Sequence, residues 1–386
     1  MKKFLRIISL VCVISLLLGF AVVTKAEEPS ASIDIQAKSA VLMEQSTGKV
    51  LFEVNSHEKL PPASVTKVMT MVLIMEAIDN GKISFDDLVT CSEYAASMGG
   101  SQVYLEPGEQ MTVQDMLKAI AVASGNDASV AMAEHICGSE EAFVKAMNDK
   151  AKELGMNDTN FVNCNGLDTE NHYTSAYDIA LMSRELLKYP KIHDYLTIWI
   201  DSLREGKFGL ANTNKLVRFY KGANGIKTGS TSKALYCLSA SAQRDGMQLI
   251  ATIMAAPTSS QRFSSASKLL DYGFAQYAVV RGVEKDEAVG EINVSKGMYP
   301  KVKLQTAAEF NLLVEKGKQG SIDKKVNITD NVMAPVEKGQ KVGDIVFSSN
   351  GEEIGKVDVV TAEAIEKITV GKVFNKLVKR WLNARN

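Results

Sequence analysis

The chain has 386 residues, of which 44 are Lys or Arg and 45 are Asp or Glu, and its formal net charge is −1. Because there is no basic excess, nucleic acid is excluded as an expected partner. The length exceeds that of one typical domain and predicts two domains.

The N-terminus has the three parts of a secretory signal peptide. Basic residues lie among the first six positions, an uncharged apolar run follows over Ile7–Val23, and a small residue, Ala26, comes shortly after it. This order predicts a signal peptide over residues 1–26 and export of the remaining chain. A retained membrane anchor is the alternative interpretation of the same segment.

A helix is predicted over Val65–Ile78, an apolar, Met-rich run that follows two prolines. Ser64 opens this helix, and Lys67 lies one helical turn further on the same face. Six serines in the chain have a lysine three residues later, and the best rival, Ser265 with Lys268, lacks further motifs downstream. A serine nucleophile with an amine base is one interpretation, and a plain helix cap is the other.

The second motif, Ser124-Gly-Asn126, lies between predicted helices over Met116–Ala123 and Asp127–Ile136. By composition it is an ordinary turn. A serine ester mechanism also needs a path for a proton, and a hydroxyl near Lys67 can provide one. The Asn126 amide can hold a substrate amide, since it both donates and accepts hydrogen bonds.

The third motif, Lys227-Thr228-Gly229, precedes a predicted β-hairpin whose strands are Ala234–Ala242 and Met247–Ala255. We expect the motif on a neighbouring strand at the edge of the sheet. There a cation and a hydroxyl suit a carboxylate, and a glycine allows close approach of a ligand. A surface turn is the alternative.

Together the three motifs supply the groups for acyl transfer through a serine ester without a histidine. The backbone N–H groups of Ser64 and Ser230 can point at one oxyanion. Any one motif is weak evidence, whereas the ordered set is strong evidence.

The histidines and cysteines show no metal-ligand spacing. His57, His135, His172 and His193 are expected to be surface residues or satisfied core residues. The four cysteines after the signal peptide can pair in three ways or stay reduced, and they are Cys91, Cys137, Cys164 and Cys237.

Beyond Phe274 the pattern changes to short β-branched runs separated by turns. The predicted strands are Glu287–Val294, Lys301–Thr306, Phe310–Val314, Lys325–Ile328, Lys341–Phe347 and Glu353–Val360. This spacing predicts a small all-β sandwich over residues 278–364, with no catalytic constellation.

The final segment, 365–386, is predicted to form an amphipathic helix. Apolar residues that include Phe374 and Trp381 recur at helical spacing, and basic residues such as Lys376 and Arg380 occupy the other face. A basic amphipathic helix that is too short to span a membrane is typical of one that lies on its surface. Packing of the apolar face on the β domain is the alternative.

The set of motifs resembles the penicillin-binding proteins and, within them, the low-molecular-mass D-alanyl-D-alanine carboxypeptidases. Further stretches carry the same resemblance, namely Tyr104–Glu109, Leu117–Asp127, Asn163–Asp168 and Lys268–Phe274. Gly125, in the middle of the second motif, is usual in that branch. The resemblance implies an α/β, β-lactamase/transpeptidase-like catalytic domain over 27–277, with an antiparallel sheet, flanking helices and a helical subdomain.

The resemblance also implies a role for each motif residue. Ser64 is the nucleophile that attacks the bond between two D-alanines, Lys67 is its base, and Ser124 relays the proton. Burial and the charge of Lys227 are both expected to lower the pKa of Lys67. The implied substrate-binding residues are Asn126, Lys227, Thr228, Gly229, Ser230 and Arg262.

The implied partners are peptidoglycan stem peptides that end in D-Ala-D-Ala, β-lactam antibiotics that acylate Ser64, and the membrane surface. Neither a metal nor an organic cofactor is expected, and the implied location is the outer face of the cytoplasmic membrane or the cell-wall space.

Two other functions remain open. A β-lactamase of the class with Ser-Asp-Asn also uses a Glu-x-x-Leu-Asn loop, and no such pentapeptide occurs between Asn126 and Lys227. A penicillin-acylated sensor without turnover uses the same residues and is not excluded by the sequence.

Overall fold

The computed structural model describes residues 33–317, 322–349, 351–371 and 374. The predicted signal peptide and most of the predicted C-terminal helix therefore lie outside the described residues.

The first part of the described chain combines one main sheet, two small hairpins and nine helices. The strands are β1 Ser39–Glu44, β2 Val50–Val54, β3 Leu88–Thr90, β4 Gln110–Thr112, β5 Ile200–Leu203, β6 Phe208–Ala211, β7 Ala223–Thr231, β8 Leu235–Arg244 and β9 Met247–Ala256. The helices are α1 Lys67–Asp79, α2 Glu93–Ala96, α3 Val113–Ala121, α4 Asn126–Cys137, α5 Glu140–Glu153, α6 Ala176–Leu186, α7 His193–Leu196, α8 Leu216–Phe219 and α9 Ser259–Gln276.

The main sheet has the order β2-β1-β9-β8-β7, and every neighbouring pair is antiparallel. The hairpin predicted from the alternating pattern is confirmed as β8 and β9. The third motif lies on β7, the edge strand beside that hairpin, as predicted. Lys227 pairs with Ser239 and Gly229 pairs with Cys237 across the ladder.

Helix α1 lies at the centre of this region. Its buried residues run from Lys67 without interruption to Met75, as expected of a helix that is apolar all round and enclosed on every side. It packs against α6, which covers the sheet, and against α4 of the helical subdomain. This enclosure places the first residue of α1, Lys67, away from water.

The C-terminal part is all-β, as predicted. Its strands are β10 Tyr277–Val283, β11 Ala288–Ser295, β12 Lys301–Thr306, β13 Phe310–Glu315, β14 Ile322–Ile328, β15 Asn331–Met333, β16 Lys341–Ser349 and β17 Glu352–Thr361. They form a six-stranded sheet of order β14-β16-β17-β12-β11-β15 and a two-stranded sheet of β10 and β13. Phe310 and Phe347 stack between the two sheets with ring centroids 5.3 Å apart.

The four described cysteines are all free thiols, so of the alternatives that the sequence left open the structure has the reduced state and none of the three pairings. Among the helices of the described residues, none combines the length and the apolar character needed to cross a membrane.

A glycine contact joins the loop before α6 to the turn before α1. Gly166 has φ +89°, and a Cβ on it would lie 1.9 Å from the carbonyl oxygen of Ala63. A backbone oxygen cannot move away as a flexible side chain can, so only glycine fits at this point. The approach brings the loop against the turn that carries Ser64.

We expect Gly166→Ala to lower the free energy of unfolding by about 3 kcal/mol or more, since it adds a backbone clash to the strain of a positive φ. Gly206 is a matched control, because it also has φ +89° but a Cβ there would meet nothing within 4 Å. Gly206→Ala should cost only about 1 kcal/mol. The two variants are compared by urea unfolding, and equal losses would show that the contact with Ala63 is unimportant.

Candidate active site

Ser64 lies in a 3₁₀ turn, Ala63–Thr66, that leads directly into α1. The sequence predicted that Ser64 begins the helix, whereas the regular α-helix begins at Lys67. Ala63 has φ +50°, a left-handed conformation that is unusual for a residue with a Cβ. The turn keeps Ser64 half-buried at the surface while Lys67 is buried behind it.

Lys67 contacts three oxygen atoms. Its Nζ lies 3.1 Å from Ser64 Oγ, 2.6 Å from Asn126 Oδ1 and 2.6 Å from the backbone oxygen of Asn165. The orientation of the Asn126 amide is fixed, because its Nδ2 donates to the oxygen of Gly99 at 2.6 Å. Two of the three contacts of Lys67 are therefore carbonyl oxygens, which accept hydrogen bonds and cannot donate them.

This arrangement suits an uncharged amine that acts as a base. A neutral amine has two N–H donors and one lone pair, and the oxygens of Asn126 and Asn165 engage both donors. The lone pair is then left for Ser64, whose hydroxyl is the only one of the three contacts that carries a hydrogen to give. Proton transfer from Ser64 to Lys67 is the reaction that this geometry favours.

The pKa of Lys67 is lowered from 10.5 to about 7, and burial is the main cause, because the charged form loses its hydration. The charges of Cys164 and Asp127 act in the opposite direction. Burial raises the pKa of the Cys164 thiol well above 9, so this thiol is neutral near pH 7 and its opposing effect is small. The sequence predicted burial correctly, and the like-charge interaction with Lys227 is seen as a lowering of the Lys227 pKa.

Ser124 lies in the turn between α3 and α4 and has φ +65°. It is buried, and its hydroxyl has no hydrogen-bond partner within the described residues. Asn126, two residues further, begins α4 and contacts Lys67 directly. The structure thus brings Asn126 of the second motif to the amine of the first, whereas the Ser124 hydroxyl makes no hydrogen bond to Lys67, so its role as a proton relay stays a prediction.

Asp127 holds the loop opposite Lys67, although sequence reasoning gave it no role. Its carboxylate accepts the backbone N–H groups of Val103 at 3.0 Å and Leu105 at 3.1 Å. The same loop supplies the oxygens of Gly99 and Ser101 that bind the Nδ2 and backbone N–H of Asn126. The side chain of Asp127 therefore fixes the loop that orients the amide beside the base.

Asn165 is another functional residue that the sequence did not reveal. It contributes a backbone oxygen, so its residue type carries no signal for this role. Thr70 donates to the backbone oxygen of Cys164 at 2.6 Å, and Glu140 accepts the Cys164 N–H at 3.0 Å. These contacts hold the loop before α6 at hydrogen-bond distance from Lys67.

The third motif lies directly against the turn that carries Ser64. A Cβ on Gly229 would lie 2.8 Å from the backbone nitrogen of Ser64, so glycine is needed for this strand to lie so close to the Ser64 turn. Thr228 Oγ1 donates to Thr213 Oγ1 at 2.6 Å, and Ser230 is exposed. The edge strand therefore lies directly beside the turn that carries the nucleophile.

Lys227 is buried and donates to the backbone oxygen of Thr228 at 3.1 Å. Its pKa lies well below 10.5, first because of burial and then because of the nearby charges of Lys67 and Arg262. An anion bound beside it would favour its charged form. This is the electrostatic environment expected of a carboxylate site.

Arg262 lies on α9 and points at the back of the edge strand. Its Nη1 donates to the backbone oxygens of Gly229 and Cys237, each at 3.2 Å, and its side chain is buried. In this position the guanidinium supports β7 and β8 through their carbonyl groups. The substrate contact suggested by the resemblance stays a prediction.

Family models match nearly all of the described chain. Residues 23–258 match the model of D-alanyl-D-alanine carboxypeptidase. Residues 277–367 match the model of the penicillin-binding protein 5 C-terminal domain.

Individual relatives give the same assignment. D-alanyl-D-alanine carboxypeptidase DacF from Bacillus subtilis is 47% identical over 369 residues, which cover 94% of this chain and 95% of that protein. Penicillin-binding protein 5 from Haemophilus influenzae has 32% identity and a TM-score of 0.76, covering 86% of this chain and 98% of that structure. Penicillin-binding protein D2 from Listeria monocytogenes, in its ampicillin-bound form, has 30% identity and a TM-score of 0.55 over 63% of this chain and 99% of that structure. The resemblance inferred from the motifs is confirmed, and the chain belongs to the family of D-alanyl-D-alanine carboxypeptidases, which are serine peptidases.

Proposed function

We propose that this protein removes the C-terminal D-alanine from peptidoglycan stem peptides that end in D-Ala-D-Ala, through an acyl-enzyme on Ser64. The observation that carries the proposal is a buried Lys67 amine 3.1 Å from Ser64 Oγ, with a pKa of about 7. A base with such a pKa is partly uncharged near neutrality and is matched to proton transfer there. The chemistry needs neither a metal nor an organic cofactor.

In the acylation step, the Lys67 amine takes the proton of Ser64 while the serine oxygen attacks the carbonyl carbon between the two D-alanines. The N–H groups of Ser64 and Ser230 stabilise the oxyanion that forms. The C–N bond then breaks, and the Ser124 hydroxyl passes the proton from Lys67 to the leaving amine. The products are free D-alanine and a peptide ester on Ser64.

In the second step, water attacks the ester carbonyl and gives its proton to Lys67. The C–O bond to Ser64 breaks, the serine oxygen regains a proton from Lys67, and the shortened peptide leaves. A β-lactam acylates Ser64 in the same way, because its strained amide takes the place of the peptide bond. The ampicillin-bound structure of penicillin-binding protein D2 from Listeria monocytogenes supports this extension.

Recognition of the terminal carboxylate is assigned to Lys227 and Thr228. The Lys227 ammonium is poorly compensated where it lies, with the backbone oxygen of Thr228 as its hydrogen-bond acceptor and with Arg262 as a cationic neighbour. A substrate carboxylate supplies the missing negative charge. The Asn126 amide, whose oxygen lies 2.6 Å from Lys67 Nζ, is assigned to the backbone of the bound peptide.

We further infer that the protein is exported and that segment 365–386 binds the membrane surface. Val370 is 88% exposed and Phe374 is 65% exposed, which supports an apolar face that is available to a lipid surface rather than packed on the β domain. The segment is also rich in lysine and arginine, and anionic lipid attracts such sequences.

Replacement of the nucleophile tests the site directly. Ser64→Ala should abolish covalent labelling by benzylpenicillin and release of D-alanine from a pentapeptide that ends in D-Ala-D-Ala, both followed by mass spectrometry. Ser265→Ala is the matched control, since Ser265 also precedes a lysine by three residues but accepts the Gln36 N–H at 3.0 Å. Labelling that persists in Ser64→Ala would contradict the assignment, and rapid turnover of penicillin would indicate a β-lactamase.

The pKa of Lys67 predicts the pH dependence of acylation. Only the uncharged amine accepts a proton, so the rate constant for acylation should rise with pH through about 7 and fall about tenfold per pH unit well below it. Asn126→Asp places a negative charge beside Lys67, which stabilises the ammonium and should move the midpoint to higher pH. A flat profile between about pH 5 and about pH 8 would contradict Lys67 as the base.

The membrane proposal is tested by cosedimentation of the chain from residue 27 onward with vesicles of phosphatidylcholine, with and without phosphatidylglycerol. Binding is expected with the anionic lipid and should be lost when Trp381 is replaced by Ser. Trp199→Ser is the control, because it removes the other tryptophan of the chain. A protein that stays in the supernatant with both vesicles would refute surface binding.

A further inference from the structure

The turn that presents Ser64 is held by a hydrogen bond from a side chain within it. Ala63 has φ +50°, a conformation that needs support from its surroundings because its Cβ makes it unfavourable. The buried hydroxyl of Thr66 donates to the Ala63 oxygen at 2.8 Å. The same hydroxyl lies 2.8 Å from Nε2 of His172, a buried residue far along the chain.

The surrounding contacts assign the tautomer of His172. The backbone N–H of Val162 points at Nδ1 over 3.0 Å, so Nδ1 accepts and carries no hydrogen. The hydrogen of the neutral ring is then on Nε2, and it is donated to Thr66 Oγ1. The chain of donors runs in one direction, from Val162 to His172, then to Thr66 and finally to the oxygen of Ala63.

These four residues, which we call the His172 bridge, join two parts of the site. Ala63 and Thr66 belong to the turn that carries the nucleophile. Val162 begins the loop that contains Asn165, whose oxygen accepts a hydrogen bond from Lys67 at 2.6 Å. His172 thus links the turn that carries the nucleophile to the loop that supplies a partner of its base.

We propose that His172 is a positioning residue for acyl transfer, which fixes the Ser64 turn against the Asn165 loop through the hydroxyl of Thr66. The inference rests on Ser64 being the nucleophile. His172 acts through Thr66 and Val162, so its ring needs to stay neutral, with one donor and one acceptor. Burial supports this, since it lowers the pKa of His172 to about 4.

A role in packing alone makes a different prediction. The His172 ring lies beside the ring of Phe161, with centroids 5.9 Å apart, and a phenylalanine at position 172 would keep an aromatic contact of that kind. Only the hydrogen-bonding role depends on the two ring nitrogens. Removal of the hydroxyl in Thr66→Val breaks the same bridge and leaves the imidazole in place.

The experiment measures the second-order rate constant for acylation by benzylpenicillin, well below the unfolding midpoint of each variant. We expect Thr66→Val to lower this rate constant at least about tenfold, since small displacements of reacting groups reduce rates strongly. Thr66→Ser keeps the hydroxyl and should acylate nearly as fast as the unsubstituted protein. His172→Phe should lose as much as Thr66→Val, whereas His172→Gln, whose amide retains a donor and an acceptor, should recover most of the rate.

Two further measurements separate positioning from general destabilisation. Thr306 is a matched control in the β domain, because its buried hydroxyl accepts the Glu287 N–H and donates to the Glu284 oxygen. Thr306→Val should lower the unfolding midpoint without changing acylation. The His172→Phe/Thr66→Val double variant should acylate no more slowly than the slower single variant, because both changes break one bridge.

Mapping of the labelled peptide distinguishes the possible failures. A label on a residue other than Ser64 would overturn the proposed nucleophile. Labelling of Ser64 at an unchanged rate in folded Thr66→Val would overturn the positioning role alone. The same conclusion would follow if the reductions in acylation rate of the two single variants multiplied in the double variant. Where His172→Phe fails to fold, Thr66→Val decides the question.

Discussion

The chemistry of this site depends on how the amine of Lys67 is enclosed. Burial removes the hydration that would stabilise the ammonium, and the carbonyl oxygens of Asn126 and Asn165 engage the two N–H donors of the uncharged form. The lone pair that remains faces Ser64. A lysine on an exposed helix would be charged near neutrality and could not accept the proton. Other parts of the catalytic region serve to maintain this enclosure.

Close approach of backbone to backbone makes the enclosure possible. Gly229 brings the edge strand against the nitrogen of Ser64, and Gly166 brings the loop before α6 against the oxygen of Ala63. A side chain at position 229 would separate the nucleophile from the carboxylate site. A side chain at position 166 would separate the base from Asn165. Asp127 fixes the loop that contains Val103 and Leu105 by accepting two of its backbone N–H groups. His172 fixes the loop before α6 to the Ser64 turn through its hydrogen bond with Thr66. These contacts are polar and directional, so they set positions more sharply than apolar packing would.

Much of the fold could be predicted because its elements are marked locally. The β8–β9 hairpin follows from alternation around a turn, and β12 occupies the predicted range Lys301–Thr306. The strand β10 was missed because Tyr277–Val283 continues directly from the end of α9 and has no turn before it. The start of α1 was placed too early, since a 3₁₀ turn and an α-helix have similar sequence signals.

The sequence by itself determined the chemistry, because the nucleophile, the amine, the relay hydroxyl and the strand cation are side chains whose types are visible in three ordered motifs. Only the tertiary structure decided how these groups are activated. The oxygens of Asn165 and Gly99 belong to the backbone, which is the same at every residue, and Arg262 turned out to contact strand carbonyls. Thr66 and His172 are 106 positions apart. Hydrogen bonds over such separations depend on the folded path of the chain, and no local pattern encodes them.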